Sequence, residues 1–276
     1  MNASPSPDLD RGYVLHSYAY RETSLILQAW TEKHGRFGIV AKGVRRPKSA
    51  NRSLLVPFQP LLLSWFGRGE LKTLKVAEPA APATPLAGEG LMSAFYLNEL
   101  LLKLTSREDP HEALFEAYDR AIGELRALSR VMPAQAGIQS GPGLRRGDES
   151  GAAPGMTVEP ILRRFELKLL QELGYAVEMN REAGHGPPIA AEREYYYVVE
   201  RGPVAAGEGE APSNAVRLLG RTLIDLESGN LDDPATAAQA KQLMRLLINH
   251  SLNGQELATR ALVRDLRAGL QDDPDR

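Results

Sequence analysis

"GYVLHSYAY" (Gly12–Tyr20), "SLILQAWT" (Ser24–Thr31) and "RFGIVAKGV" (Arg36–Val44) follow one another with only a few residues between them. Each is short, rich in apolar and β-forming residues, and bounded by turn formers. That is the pattern of strands rather than helices. "PLLLSWFG" (Pro60–Gly67) and "ELKTLKVAE" (Glu70–Glu78) continue it, with Gly67-Arg68-Gly69 as a tight connection. Five strands with no helical period predict a small barrel. The five-stranded OB-fold, which commonly binds oligonucleotides, fits this count, and an SH3-like barrel fits it almost as well.

The pattern changes downstream. "PAAPATPLAGEG" (Pro79–Gly90) holds three prolines and two glycines and reads as a linker. "LMSAFYLNELLLKLTS" is a strongly apolar helix, and Asp109-Pro110 with Glu112 predicts the capped start of a second. Ser129–Thr157, rich in Gly, Ala, Pro and Ser, predicts a disordered insertion. Val158, Leu162, Phe165, Leu169 and Leu173 then form one stripe at spacings of four and three, marking a core-facing helix that stops at Gly174. "EREYYYVVERGPV" predicts a β-hairpin and "SNAVRLLGRTLIDLESG" a short helix. Asp233-Pro234 caps another helix, and "QELATRALVRDLRAGL" closes the chain as the last. The expected class is α+β. A five-stranded OB-fold barrel at residues 1–79 precedes a mostly α-helical domain at residues 80–276, which carries a small β-hairpin subdomain and the insertion at 129–157.

Charge divides along the same line. The net charge is −2. Residues 1–78 carry 12 Lys and Arg against 6 Asp and Glu, whereas the remainder is acidic. From Lys33 to Arg52 there are seven cations and no acid. A basic module joined to an acidic body points to a polyanionic partner. A flexible basic segment neutralises phosphates and releases their counterions without reading sequence. The candidate DNA-binding residues are Arg36, Lys42, Arg45, Arg46, Lys48 and Arg52, with Lys72 and Lys75 on the last strand. Those two lysines are three apart, so a straight strand sends them to opposite faces and at most one joins the groove. Phe37, Trp65 and Phe66 are candidates to stack on bases, though core packing is the expected fate of two of the three.

No enzyme is proposed by these residues. The five histidines are scattered, and no two have the i,i+4 spacing of paired metal ligands. There is no Gly-Lys-Ser/Thr and no Gly-x-Ser-x-Gly. The absence of cysteine removes disulfides and thiolate metal sites. "MNASPSPDLDRG" has no leader character, and "LLVPFQPLLLSWF" is broken by Pro57, Gln59 and Pro60, too short to span a bilayer. The expectation is a soluble cytoplasmic protein with no membrane partner, no catalytic residue and no cofactor. A second cationic group, Arg163 and Arg164 with Lys168, lies near Phe165 on the striped helix. It reads either as a receptor for an acidic peptide tail or as a solvated helix face.

"VLHSYAYRETSLILQAWTEKHGRFGIVAKGVRR" resembles the N-terminal signature of the RecO family of DNA repair proteins, with "ETS" before apolar residues, then "T…GR" and "AKG.R". "FQPLLLSWFGRGELKTLKVAE" continues the likeness, and "YLNELLLKL", "LRRFELKLLQELGY" and "LNGQELATRAL" resemble the family's helical domain. The likeness runs in order along the chain except at its ends and in Ser129–Thr157. It implies an OB-fold, a helical domain and a non-enzymatic recombination mediator. Such a mediator binds single- and double-stranded DNA, anneals complementary strands, and works with RecR and the single-stranded-DNA-binding protein SSB to place RecA on DNA. It implies a cytoplasmic, nucleoid-associated protein. The tail of SSB would be the peptide for Arg163, Arg164, Phe165 and Lys168. Many relatives carry four zinc-binding cysteines after the "LGY" helix. Here "AVEMNREAGHGPPIAAEREYYYVV" has none, so no zinc is expected. The competing classes are an OB-fold RNA-binding factor and a metal-dependent nuclease, the latter needing carboxylates that residues 33–52 lack.

Overall fold

The computed structural model describes residues 8–82, 84–131, 157–175, 178–207 and 211–262. Strands β1 (Asp10–Tyr20), β2 (Ser24–Thr31), β3 (Gly35–Ala41), β4 (Leu61–Phe66) and β5 (Leu71–Pro79) close into a barrel in the order β1-β2-β3-β5-β4. The β3–β5 pairing is parallel and the others are antiparallel. This closure is the Greek key of an OB-fold and decides between the two barrels that the strand count left open. Val14, Leu27, Ala29, Phe37, Ile39, Leu61 and Leu63 fill the interior. The short helix α1 (Asn51–Leu54) lies between β3 and β4 and rests on β5.

One irregularity orients the whole barrel. In β1 the register passes from Val14↔Ala29 to His16↔Gln28, leaving Leu15 as the extra residue of a β-bulge. Val14 faces the barrel interior. Tyr13, Leu15 and Trp30 are equally buried but belong to the core of the helical body. Phe58 joins them there. The barrel keeps its own interior and also contributes Tyr13, Leu15, Trp30 and Phe58 to the core of the helical body, so the two pack directly on each other.

The helical body comprises α2 (Gly88–Leu104), α3 (Glu112–Val131), α4 (Val158–Glu172), α5 (Gly220–Ser228) and α6 (Pro234–Ser251). A three-stranded sheet of order β7-β6-β8 joins them, from β6 (Glu194–Val198), β7 (Gly202–Ala205) and β8 (Ala215–Leu219). The expected stripe on α4 is buried at Val158, Leu162, Phe165 and Leu169, with Leu173 packed against it. Gly174 ends this helix at φ 79°, and the Tyr175 N–H donates to the Leu170 carbonyl. The Asp233 carboxylate accepts from the Thr236 N–H at 2.8 Å and caps α6.

Several boundaries differ from the sequence expectation. Gly88–Gly90 form the first turn of α2, not the end of a linker. α3 starts at Glu112, and the His111 carbonyl, not Asp109, accepts the Phe115 N–H of its first turn. Ser129 continues α3 because its hydroxyl bonds the Leu125 carbonyl and the Ala87 backbone. The rest of the expected insertion, residues 132–156, lies outside the described residues. The segment read as a helix from Ser213 begins instead as β8, whose β-branched and leucine residues pair with β6 before α5 starts at Gly220.

Candidate nucleic-acid interface

The basic segment is held at both ends and open between them. Val44 and Leu55 insert into the barrel core at 2% and 3% exposure. Lys42, Arg45, Arg46, Lys48 and Arg52 stand exposed on and around the successive turns between these anchors. The Arg46 N–H donates to the Gly43 carbonyl and the Ser49 N–H to the Arg46 carbonyl, which shapes those turns. The Arg45 N–H donates to the Thr23 carbonyl at 2.9 Å, and its guanidinium to the Arg21 carbonyl at 3.2 Å. The loop is thereby pinned against the β1–β2 turn. Among the described residues, no carboxylate lies within ion-pairing distance of any of the five cations.

Lys75 joins this end. The β4–β5 register passes from Ser64↔Val76 to Trp65↔Leu74, so Lys75 is the extra residue of a second bulge and is exposed beside α1. Between the loop and the β1–β2 turn lies a recess of about 430 Å³, with Val40 and Ser24 at its floor. Arg21, Lys42 and Arg46 border it, together with Glu22, the one acid on the rim. Arg21 was not singled out by sequence. It stands alone between Tyr20 and Glu22, and only the folded turn places it beside the loop.

Two of the expected DNA-binding residues lie elsewhere. The Arg36 guanidinium donates to the Thr105 hydroxyl at 3.2 Å and the Thr105 carbonyl at 2.7 Å, at the end of α2. Burial, with Arg107 nearby, holds it below its ordinary pKa. The Lys72 ammonium pairs with Glu108 at 2.7 Å, lies 5.4 Å from the Phe37 ring centre, and has a side chain only 12% exposed. Both cations fasten the barrel to the helical body. Neighbouring backbone is equally tight there: the Glu108 N–H bonds the Arg36 carbonyl, and a Cβ on Gly35 would sit 2.1 Å from the Asp109 carbonyl oxygen. Arg11 extends the seam to Glu116 and Asp119 of α3 while also pairing with Glu32 of the barrel itself, and the Tyr13 hydroxyl also bonds Asp119.

Of the three aromatic candidates, Phe37 is in the barrel core and Trp65 packs on it with ring centres 4.6 Å apart. Phe66 is 57% exposed. Two of the three are packing residues, as expected.

The cationic group on α4 does not form a single rim. Arg163 is buried and its guanidinium lies 2.9 Å from Glu166, itself fully buried. Phe165 is in the core at 1% exposure. A helix rotates about 100° per residue, so Arg163 and Phe165 lie on nearly opposite sides of α4, which is buried on several faces. Arg163 and Phe165 are both buried, each among different neighbours, while Arg164 and Lys168, one turn apart, lie on the partly exposed side. The outward pair is also engaged: Arg164 with Glu124 at 2.6 Å, and Lys168 with Glu172 at 2.7 Å. The expected pocket of Arg163, Arg164, Phe165 and Lys168 is therefore not assembled. Burial raises the Glu166 carboxyl above its ordinary pKa, against the pull of Arg163 and a 2.5 Å hydrogen bond from the Tyr96 hydroxyl. These groups tie α2 to α4.

Among the described residues no cluster of three His, Asp or Glu is placed to hold a metal ion, and no helix is long and apolar enough to cross a membrane.

Comparison with known proteins agrees with this architecture. The family model described as recombination protein O N terminal matches residues 8–83, which contain the barrel, and that described as recombination protein O C terminal matches residues 152–261. The DNA repair protein RecO of Nitrosospira multiformis is 42% identical over 255 residues, covering 92% of this chain and 94% of that protein. The protein of the same name from Aromatoleum aromaticum is 42% identical over 261 residues, covering 94% and 96%. That from Nitrosococcus oceani is 44% identical over 259 residues, covering 94% of each. With both halves matched and most of each relative covered, the chain belongs to the RecO family of DNA repair proteins.

Proposed function

We propose that the protein is a non-enzymatic recombination mediator. It binds single- and double-stranded DNA, anneals complementary strands, and with RecR helps to load RecA onto DNA coated by SSB. Lys42, Arg45, Arg46, Lys48, Arg52 and Lys75 hold the phosphates. The observation that carries this reading is the basic loop, with five exposed cations that no described carboxylate neutralises. Other described cations, such as Lys33, Arg107 and Arg120, also lack such a partner, but only in this segment do five of them crowd between Lys42 and Arg52 with no acid among them. Five charges left unpaired on a protein of net charge −2 are placed for an external polyanion. Backbone contacts of this kind carry no sequence information, as a mediator acting on any damaged site requires.

Annealing follows from the same geometry. Two complementary strands repel each other, and a cationic surface that neutralises both raises their local concentration. RecR and SSB enter as partners on family membership, and their sites are separate from the loop. For an acidic SSB tail, Arg164 and Lys168 are the accessible cations of α4, each reached by displacing a carboxylate. The test is annealing of complementary oligonucleotides, bare and SSB-coated, by wild type and by a variant with Arg45, Arg46, Lys48 and Arg52 changed to Ala. Annealing by wild type and its loss in the variant are expected. Equal annealing by both would remove the loop from the reaction. Preferential pairing of RNA strands would replace this reading by an RNA-binding one.

A further inference from the structure

The cations account for a grip on phosphate but leave one surface beside them unexplained. Beyond the β1 bulge, alternate residues of the strand turn outward: His16, Tyr18 and Tyr20, opposite Gln28, Ile26 and Ser24 of β2. This is the face of the barrel that leads to the recess beside the loop. Tyr18 is 51% exposed, an unusual position for an aromatic ring on an otherwise well-packed barrel. His16 meets it in a T-shaped contact with centres 4.4 Å apart, which fixes its orientation. Tyr20 lines the recess, with the Arg21 guanidinium 5.2 Å from its ring centre.

We propose that the outward face of β1 is a stacking platform for the unpaired bases of a single DNA strand, with Tyr18 as the open ring and Tyr20 at the entrance to the recess. This rests on the loop's role in holding DNA phosphates. Bases present flat apolar faces, which stack on aromatic rings irrespective of sequence. The unpaired cations at the end of the same face supply the charge complementarity that selects a nucleic acid over another apolar partner. The bulge is what makes the platform. It shifts β1 by one residue against the unbroken β2, so that Tyr18 and Tyr20, rather than Ser17 and Ala19, continue the outer face on which Tyr13 meets the helical core. In a duplex the base faces are already covered by their neighbours, so the platform favours single strands. The loop alone does not discriminate.

The experiment compares an oligothymidine strand, an abasic strand of equal length and a duplex, by fluorescence anisotropy, with wild type and with Tyr18→Ala/Tyr20→Ala. Stacking of a base on a ring sets the expected loss for oligothymidine at about tenfold or more. The abasic strand and the duplex are expected to bind as they do to wild type. Tyr18→Phe/Tyr20→Phe keeps both rings and is expected to retain the affinity for oligothymidine, which separates stacking from any effect of the alanines on folding. Equal loss on the base-bearing and abasic strands, no loss on either, or failure of the Phe variant to retain affinity would overturn the platform. Failure of wild type to bind all three ligands would remove the DNA reading of the loop, and the platform with it. Tighter binding of an oligouridine RNA than of oligothymidine would overturn DNA as the occupant.

Discussion

The two ends of the barrel use the same residue types for opposite purposes. At the seam with the helical body, Arg11, Arg36 and Lys72 each meet a carboxylate or a backbone carbonyl. At the free end, Lys42, Arg45, Arg46, Lys48 and Arg52 meet no carboxylate among the described residues. Cation density does not distinguish the two ends; Arg36 and Lys72 are half-buried against the helical body, whereas the five of the loop stay exposed, with a single side-chain bond from Arg45 to the Arg21 carbonyl. A paired cation contributes to the fold and is neutralised, whereas an unpaired one keeps its field for a ligand.

The sharpest case of a cation used for structure is Arg163. Arg163→Ala leaves Glu166 buried without its counter-charge, and breaking a buried pair costs about 3–5 kcal/mol. The loss is expected in chemical denaturation, with oligonucleotide affinity of the folded fraction unchanged. It carries a pH signature. The folded Glu166 pKa is raised above its ordinary 4.5, so the folded state holds more protons than the unfolded one between those values. Stability therefore falls as pH rises from about 4.5 through the folded value, and the deficit of the variant is expected to shrink on acidification. A deficit independent of pH would show that Glu166 is not the group left exposed to the loss.

Glu99 gives the opposite sign. Burial works against its ionisation, but the Thr259 hydroxyl and the Thr259 and Ala258 N–H groups hold its carboxyl below the ordinary 4.5. It anchors the helical turn that begins at Ala258, and Glu99→Ala is expected to cost about 1 kcal/mol, as for loss of a helix cap. That contribution is fully present above about pH 4.5 and is lost as pH falls through the lower folded value. Denaturation midpoints at neutral and acid pH measure it.

Arg11→Ala tests the seam. Its three carboxylate partners form a half-exposed network, and the expected loss is about 1 kcal/mol of stability, reduced in high salt, with DNA affinity maintained. Arg164→Ala/Lys168→Ala is expected to change stability by less than about 0.5 kcal/mol, because exposed pairs contribute little. Titration of a fluorescent acidic tail peptide against this variant then reads the tail interaction alone. Full peptide affinity in the variant would place the tail elsewhere.

The strands were legible because they obey local rules. Ser24–Thr31 was read to the residue, and the Arg45-Arg46-Pro47-Lys48 segment was visible as charge without acid. Pairing was not legible. Arg36 and Lys72 share the composition of the loop, and only the approach of Thr105, which accepts from the Arg36 guanidinium, and of Glu108, which pairs with Lys72, draws them into the fold. Arg163 differs from Arg164 by one helical step, yet one is buried and the other faces solvent. The bulges at Leu15 and Lys75 were equally hidden. Each is decided by the register against a partner strand, and no local residue pattern announces it.

The contrast between the two ends is tested most directly by the slope of log binding constant against log salt for duplex DNA. It is measured for wild type, for the loop variant with Arg45, Arg46, Lys48 and Arg52 changed to Ala, and for Arg36→Ala/Lys72→Ala. Each lost phosphate contact lowers the slope by about 0.9. The loop variant is expected to lose roughly 3 to 4 units of slope at nearly unchanged stability. The seam variant is expected to lose stability and keep the wild-type slope. An unchanged slope in the loop variant, or an equal fall in the seam variant, would contradict the assignment of DNA to the free end of the barrel.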